Sequence, residues 1–308
     1  MSILVAGASG LVGSAIVDEL SSSSESLIGI SSKDVDLRDR KATFEFILDL
    51  KPNVIIDAAA RVGGIGANNN YPVQFLSENL QIQNNLMDAA HEAKVERFVF
   101  LGSSCIYPKN TQQPIKEEYL LTGPLEETNS AYAVAKIAGI EAIKSYRRQY
   151  GHRWISLMPS NVYGDNDNYS TETGHVLPSL VNKFVSASDS RVSQVNLWGT
   201  GKPRREFLHA VDLARAVRIA LEKFDSDSHL NIGAGFDLTI KDLAELIASE
   251  SGYNGEILWD DSMPDGTPRK ILDISKILAL DWSPMIGLKE GISRTVRYFR
   301  QHRDKVVS

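Results

Sequence analysis

Hydrophobic and polar positions along the first 160 residues fall into two kinds of run. Short, almost wholly apolar stretches recur at Ser2–Ala6, 27–30, Val54–Asp57, Arg97–Leu101 and 154–158. That length and two-sided apolarity predict strands of a parallel sheet covered on both faces. Between them lie longer segments with apolar residues three and four apart, at 14–22, Arg40–Leu50, 73–93 and 131–149, which predict helices. Strand and helix in regular alternation specify an α/β fold: a doubly wound parallel sheet of Rossmann type, with right-handed crossovers and a ligand at the carboxyl ends of the strands.

The pattern changes after residue 163. A polar stretch at 165–174 leads to a helix predicted to begin near Pro178, a strand at 194–197, a helix at 209–222 and a strand at 229–232. Thr239 with Asp242 forms a capping box for a helix reaching about residue 249. With 308 residues the chain is long for one core. We therefore expect 1–163 with 206–235 as a dinucleotide-binding domain, and 164–205 with 236–308 as a smaller substrate-binding α/β lobe.

Composition narrows the partners. The chain is 43% hydrophobic and 23% charged, with a formal charge of -6. This is an ordinary globular balance that argues against nucleic acid. No apolar run of about 18 residues and no basic leader is visible, so a cytoplasmic protein with no membrane partner is expected. A single cysteine, Cys105, allows no intramolecular disulfide and no cysteine-based zinc site, and the six histidines have no ligand spacing. No metal is expected.

Candidate chemistry sits at the predicted strand ends. Gly7-Ala8-Ser9-Gly10-Leu11-Val12-Gly13 lies between the first strand and first helix, where glycines permit a tight turn against a pyrophosphate. The second strand ends in Ser31-Ser32-Lys33, where an NAD site would carry an acid, so NADP with Lys33 on its 2'-phosphate is favoured over a merely solvated turn. Asp36-Leu37 would reach the adenine side. A small-residue turn, Ala58-Ala59-Ala60, and a glycine-rich loop at 61–70 follow.

The fourth strand ends in Gly102-Ser103-Ser104-Cys105-Ile106-Tyr107-Pro108. If the backbone stays extended, Ser103 and Cys105 face the same side; otherwise they read as a turn cap and a small buried hydrophobe. Tyr132 and Lys136, one turn apart on a helix, form a proton relay if the cation lowers the phenol's pKa. Alone, that spacing also fits an amphipathic helix with a snorkelling lysine.

The glycine loop, Ser103, and Tyr132 with Lys136, in that order and on those elements, resemble the extended short-chain dehydrogenase/reductase family over essentially the whole chain. More narrowly, 102–108, 133–139, 62–65, Asn161–Tyr163 with Gly164, and the Trp198 and Arg269 loops resemble its GDP-L-fucose synthase branch. The resemblance implies an NADPH-dependent 3,5-epimerase and 4-reductase acting on GDP-4-keto-6-deoxy-D-mannose. It implies Cys105 as base and His175 as acid for epimerisation, and Tyr132, Lys136 and Ser103 for reduction. Cofactor contacts would come from Gly7 to Gly13, Leu101, Gly102, Ser103, Ser104, Lys136, Pro159, Ser160, Asn161, Val162 and His175. The GDP-sugar would be held by Lys183, Trp198, Arg205 and Lys270.

One departure is Ser9, where some members carry an arginine for the cofactor phosphate. A sister nucleotide-sugar dehydratase would carry an Asp-Glu pair where Ser104-Cys105 stands. A non-catalytic NADP-binding regulator would usually lose the tyrosine or lysine. By the same analogy the helices at 73–93 and 131–149 would pair two copies into a homodimer.

Overall fold

The computed structural model describes residues 1–22, 26–263 and 265–306. Its first half runs β1 (Ser2–Ala6), α1 (Leu11–Leu20), β2 (Ser26–Ile30), α2 (Arg40–Leu50), β3 (Val54–Asp57), α3 (Ile65–Asn70), α4 (Pro72–Glu92), β4 (Arg97–Leu101), α5 (Ser130–Tyr150), β5 (Ile155–Pro159) and β6 (Asn161–Tyr163). The second half runs α6 (Val176–Asp189), β7 (Gln194–Trp198), β8 (Arg204–Arg205), β9 (Phe207–His209), α7 (Ala210–Lys223), β10 (Leu230–Ile232), β11 (Leu238–Thr239), α8 (Ile240–Glu250), β12 (Glu256–Asp260), β13 (Arg269–Lys270), α9 (Ser275–Leu278) and α10 (Leu288–Val306).

The central sheet has six strands in the order β10-β5-β4-β3-β1-β2, all pairings parallel. β3 pairs with both β1 and β4, so these strands end side by side, with Ala6 opposite Asp57 and Asp57 opposite Phe100. The strands are buried because they are apolar on both faces: Leu4, Ile55, Val99, Phe100 and Leu157 are all fully enclosed. The expected doubly wound parallel fold is what forms.

Local chemistry places the helices. Asp39 caps α2 by accepting the Ala42 amide, and Pro72 opens α4 where its missing N–H costs nothing. Gly151, with φ +73°, ends α5. Gly139 brings α5 onto the sheet, since a Cβ there would lie 2.2 Å from the Phe100 ring. That close approach carries Lys136 to the end of β4.

A second core is built from α6, α8, α10 and β7, where Leu180, Phe184, Ile247, Ile292 and Phe299 pack together. α8 starts with the capping box expected of Thr239 and Asp242. Leu272, Ile277 and Trp282 instead join the core under the central sheet.

Several expectations are corrected. α6 begins at Val176, two residues before Pro178, because a proline is accepted anywhere in a first turn that lacks carbonyl partners. The 61–70 stretch is not all loop: α3 forms within it, and Asn68 folds back to donate to the Gly63 and Gly64 carbonyls. β12 and α10 stand where the sequence reading places nothing, although Leu288, Ile292, Val296 and Phe299 make a helical stripe that is buried along its length.

Candidate functional site

A cleft of about 1540 Å³ runs along the carboxyl ends of the central strands and continues between the two cores. The glycine loop forms its floor at one end. Gly7 has φ +78°, and a Cβ on Gly13 would lie 2.0 Å from the Gly7 carbonyl oxygen. Gly10, the residue before α1, offers no side-chain cap. The first-turn amides of α1 are thus left for a ligand in a concavity that no side chain fills, which suits the pyrophosphate of a dinucleotide.

Gly7, Ser9, Gly10, Leu11, Val12, Gly13, Leu101, Gly102, Ser103, Ser104, Lys136, Pro159, Ser160, Asn161, Val162 and His175 all line this cleft. Ala8 does not; its amide donates to the Ile30 carbonyl at 2.9 Å and its methyl is turned toward β2. Nor does Lys33, an exposed residue of the turn after β2. The cation that does line the adenosine end is Arg38, one residue beyond the stretch that the sequence reading assigns to the adenine. It is held by both oxygens of Asp36, at 2.9 and 2.8 Å.

Extended chain ends at Ser103 and does not reach Cys105. After β4 the backbone enters a single 3-10 turn over Ser104–Ile106, capped by Ser103, whose hydroxyl accepts the Cys105 amide at 3.4 Å. The turn, not strand alternation, brings the hydroxyl and the thiol together. Burial pushes the Cys105 thiol up, against the opposing pull of the Lys270 ammonium.

Tyr132 projects from the first turn of α5 into the same space. Lys136 donates from Nζ to the Leu101 carbonyl at 2.9 Å, with Nζ 5.8 Å from the Tyr132 ring centroid and 4.8 Å from that of Phe100. The sequence expectation that the lysine lowers the phenol's pKa is not met here. Burial drives the Tyr132 pKa up, assisted by Cys105 and Asp57, with the Ser103 hydroxyl pulling the other way. Lys136 is itself pushed down by burial, opposed by Asp57 and Cys105. The relay in this state is a neutral phenol poised to donate.

His175 stands just before α6, facing the cleft. Its side chain is exposed at the cleft wall, the protein around it still lowers its pKa by desolvation, and its imidazole makes no hydrogen bond among the described residues. Lys183, Trp198, Arg205 and Lys270 line the far end of the cleft. Lys183 Nζ donates to the Asn196 carbonyl at 3.1 Å, while Trp198 is 70% exposed and open to a partner. β8 and β13 pair in parallel with Lys270 opposite Arg205, which puts two cations abreast.

Residues 3–233 match the family of NAD dependent epimerases and dehydratases. The chain belongs to that family. Over 303 residues it is 47% identical to a putative GDP-L-fucose synthase 2 of Arabidopsis thaliana, spanning 97% of this chain and 92% of the relative. It is 42% identical to the GDP-L-fucose synthase of Escherichia coli K12, spanning 98% of each chain. A crystal structure of a GDP-L-fucose synthetase from Naegleria fowleri bound to NADP superposes with a TM-score of 0.90 at 27% identity, covering 100% of this chain and 96% of that one.

In and next to this epimerase/dehydratase cleft the structure adds acids that sequence reasoning missed. Asp57 ends β3 with one carboxylate oxygen unpartnered, and burial lifts its pKa to about 6 against the pull of Lys136. Asp167 is likewise buried with Oδ2 unpartnered, its pKa lifted by burial to about 7. Glu126 lines the cleft and pairs with Lys109 at 2.9 Å. Asp57 was visible as an acid ending an apolar strand; nothing in the local pattern marks the other two.

Proposed function

We propose that this enzyme converts GDP-4-keto-6-deoxy-D-mannose to GDP-L-fucose, with NADPH, by epimerising C3 and C5 and then reducing C4. The observation that carries the reading is the meeting of one thiol, Cys105, with the Ser103 hydroxyl and the Tyr132 phenol at the strand ends of a dinucleotide fold. Simple reduction needs the phenol, but a thiol beside it adds a second acid-base group for carbon acidity.

The C4 ketone acidifies the hydrogens at C3 and C5. Inversion requires a proton removed from one face and returned to the other, the roles we assign to Cys105 and His175. The Ser103 hydroxyl, already turned toward Cys105 and the phenol, donates to the C4 oxygen and stabilises negative charge there in both stages. NADPH supplies the hydride to C4 when bound. Tyr132 gives its proton to the resulting alkoxide, and Lys136, fixed by the Leu101 carbonyl, holds the nicotinamide ribose and the charge balance around the phenol.

The residues fit the dinucleotide: the glycine floor accepts a pyrophosphate, and Leu101, Ser104 and 159–162 flank the place where a ring would lie. Arg205 and Lys270, side by side, suit the diphosphate of the GDP-sugar, and the open face of Trp198 suits its base or sugar. We further propose a cytoplasmic homodimer paired through α4 and α5, where Val73 and Val134 stand exposed. Among the described residues no helix is long and apolar enough to cross a membrane.

The test is NADPH oxidation followed at about 340 nm, the absorbance of reduced nicotinamide itself, with the keto sugar and product identification by NMR. GDP-L-fucose made by the wild type and not by Cys105→Ser is the expected result. GDP-D-rhamnose or GDP-6-deoxy-D-talose, the two unepimerised reduction products, from the wild type would reduce the proposal to a 4-reductase.

A further inference from the structure

We infer that Tyr107 is a positioning residue whose buried hydroxyl, shared with Asn231 of the edge strand and His229 just before it, fixes the far end of the turn that carries Cys105. For what Cys105 does to a sugar, the inference rests on the proposed function; for the anchoring, it rests on geometry alone.

The near end of the turn is secured by the sheet. Gly102 donates its amide to the Leu157 carbonyl at 2.9 Å, and Lys136 grips Leu101. Beyond Ser103 the chain leaves the sheet, and Tyr107 is the residue immediately after the turn. Its phenol oxygen lies 2.9 Å from His229 Nε2 and 2.5 Å from Asn231 Oδ1. The phenol has one proton and Asn231 Oδ1 can only accept, so His229 must carry its proton on Nε2 and donate to the phenol oxygen. In agreement, His229 Nδ1 is the buried nitrogen without a partner.

The chain of donors continues. Asn231 Nδ2 donates to the Ile115 carbonyl at 3.0 Å, and the Asn231 amide donates to Glu117 Oε1 at 3.1 Å. Ile115 in turn donates to the Ile271 carbonyl at 2.8 Å, next to Lys270. One network thus ties the thiol-bearing turn, β10, and the chain just after Lys270. Tyr107, His229 and Asn231 are all buried, at 2%, 3% and 0% exposure. Apolar side chains at 107 and 229 would fill the same space without the cost of desolvating a hydroxyl and an imidazole, so packing alone does not account for the set. Such buried polar networks fix position rather than add stability. Burial also drives the Tyr107 pKa far up, which keeps the phenol a donor at any working pH.

The test uses solvent exchange. In D2O with GDP-4-keto-6-deoxymannose, deuterium entering C3 and C5 is followed by NMR for wild type, Tyr107→Phe, Asn231→Asp and Asn231→Leu. A displaced general base loses rate without losing ligand, so exchange in Tyr107→Phe is expected to fall about tenfold or more, with KM and the NADPH dissociation constant within about twofold. Asn231→Asp keeps the acceptor for the phenol and is expected to retain more exchange than Asn231→Leu. Exchange within twofold of wild type in Tyr107→Phe, or a loss matched by equal loss of NADPH binding, overturns the inference. If the wild type exchanges nothing, the substrate reading fails instead. The anchoring is then read from iodoacetamide alkylation of the single cysteine: an altered rate in Tyr107→Phe supports it, and an unchanged rate overturns it.

Discussion

Lys136 spends its ammonium on the Leu101 carbonyl, 2.9 Å away, while lying 5.8 Å from the centre of the Tyr132 ring. The lysine therefore makes its hydrogen bond to the backbone and not to the phenol oxygen. Tyr132→Phe removes the proton donor we assign to the C4 alkoxide, yet leaves Cys105, Ser103 and His175 untouched. NADPH oxidation is expected to drop by about 10²- to 10⁴-fold while deuterium still enters C3 and C5 at near the wild-type rate. Loss of both together would mean that the phenol serves epimerisation as well.

Lys270 is the foremost opposing influence on the burial-raised Cys105 thiol, and Cys105 is in turn the foremost influence holding Lys270 charged. Lys136 pulls the same thiol more weakly, and its hydrogen bond with Ser103 also favours the thiolate. Removing the Lys270 charge takes away stabilisation of the thiolate alone, so the thiol pKa must rise further. Lys270→Met is expected to move the pH-rate profile of iodoacetamide alkylation to higher pH, and Lys270→Arg to leave it near wild type. Since Cys105 is the only cysteine in the chain, the profile reads one group. Superimposable profiles for Lys270→Met and wild type would confine Lys270 to ligand binding.

How far the sequence carried can be judged from these same residues. The central sheet was legible because its strands are apolar on both faces, and the glycine loop because Gly7 and Gly13 meet at a distance no other residue permits. That Ser103, Cys105, Tyr132 and His175 line one cleft was legible only through resemblance, since local pattern does not relate 103 to 175. The geometry within the group was legible in part: of the two readings offered at Ser103 and Cys105, the turn cap and the buried thiol are what form, while the phenol's pKa was judged from Lys136 without the burial that outweighs it. That error has a plain source. Burial is set by the whole fold, and no window of sequence contains it. The Tyr107 network was hidden for a similar reason, because Tyr107 and Asn231 are 124 residues apart.

Asp167 supplies a stability test of that burial. Its carboxyl has an ordinary pKa of 3.8 and is lifted by burial to about 7 in the fold, opposed by the Asn168 amide. Between those values the folded state keeps a proton that the unfolded chain has lost, so stability falls as pH rises from about 3.8 to about 7. Asp167→Asn cannot ionise and escapes this loss. In thermal melts without ligand, the variant's Tm relative to wild type is expected to climb through that window and level off above it, by an amount worth a few kcal/mol at most. A difference that stays flat with pH would show that Asp167 is hydrated in solution.

The adenosine end of the cleft offers a choice between two cations. Lys33 was the sequence-based candidate for the cofactor's 2'-phosphate, but it stands outside the cleft, and Ser9 leaves the glycine loop without a cation. Arg38 lines the cleft beside Ser31 and Ser32, with its guanidinium aligned by both oxygens of Asp36 and a third contact, 3.5 Å, to Glu78. A planar guanidinium held this way can stack on adenine or turn one edge to a phosphate, neither of which a mobile exposed lysine does as well. Arg38→Ala is accordingly expected to raise the NADPH dissociation constant about tenfold, on the scale of one charge-assisted contact, and Lys33→Ala to change it by less than twofold. Comparison with NADH separates the two uses of Arg38: a phosphate contact weakens NADPH alone, whereas stacking on adenine weakens both. The reverse ranking, with Lys33→Ala the more damaging, would mean that the turn after β2 folds over the cofactor when it binds.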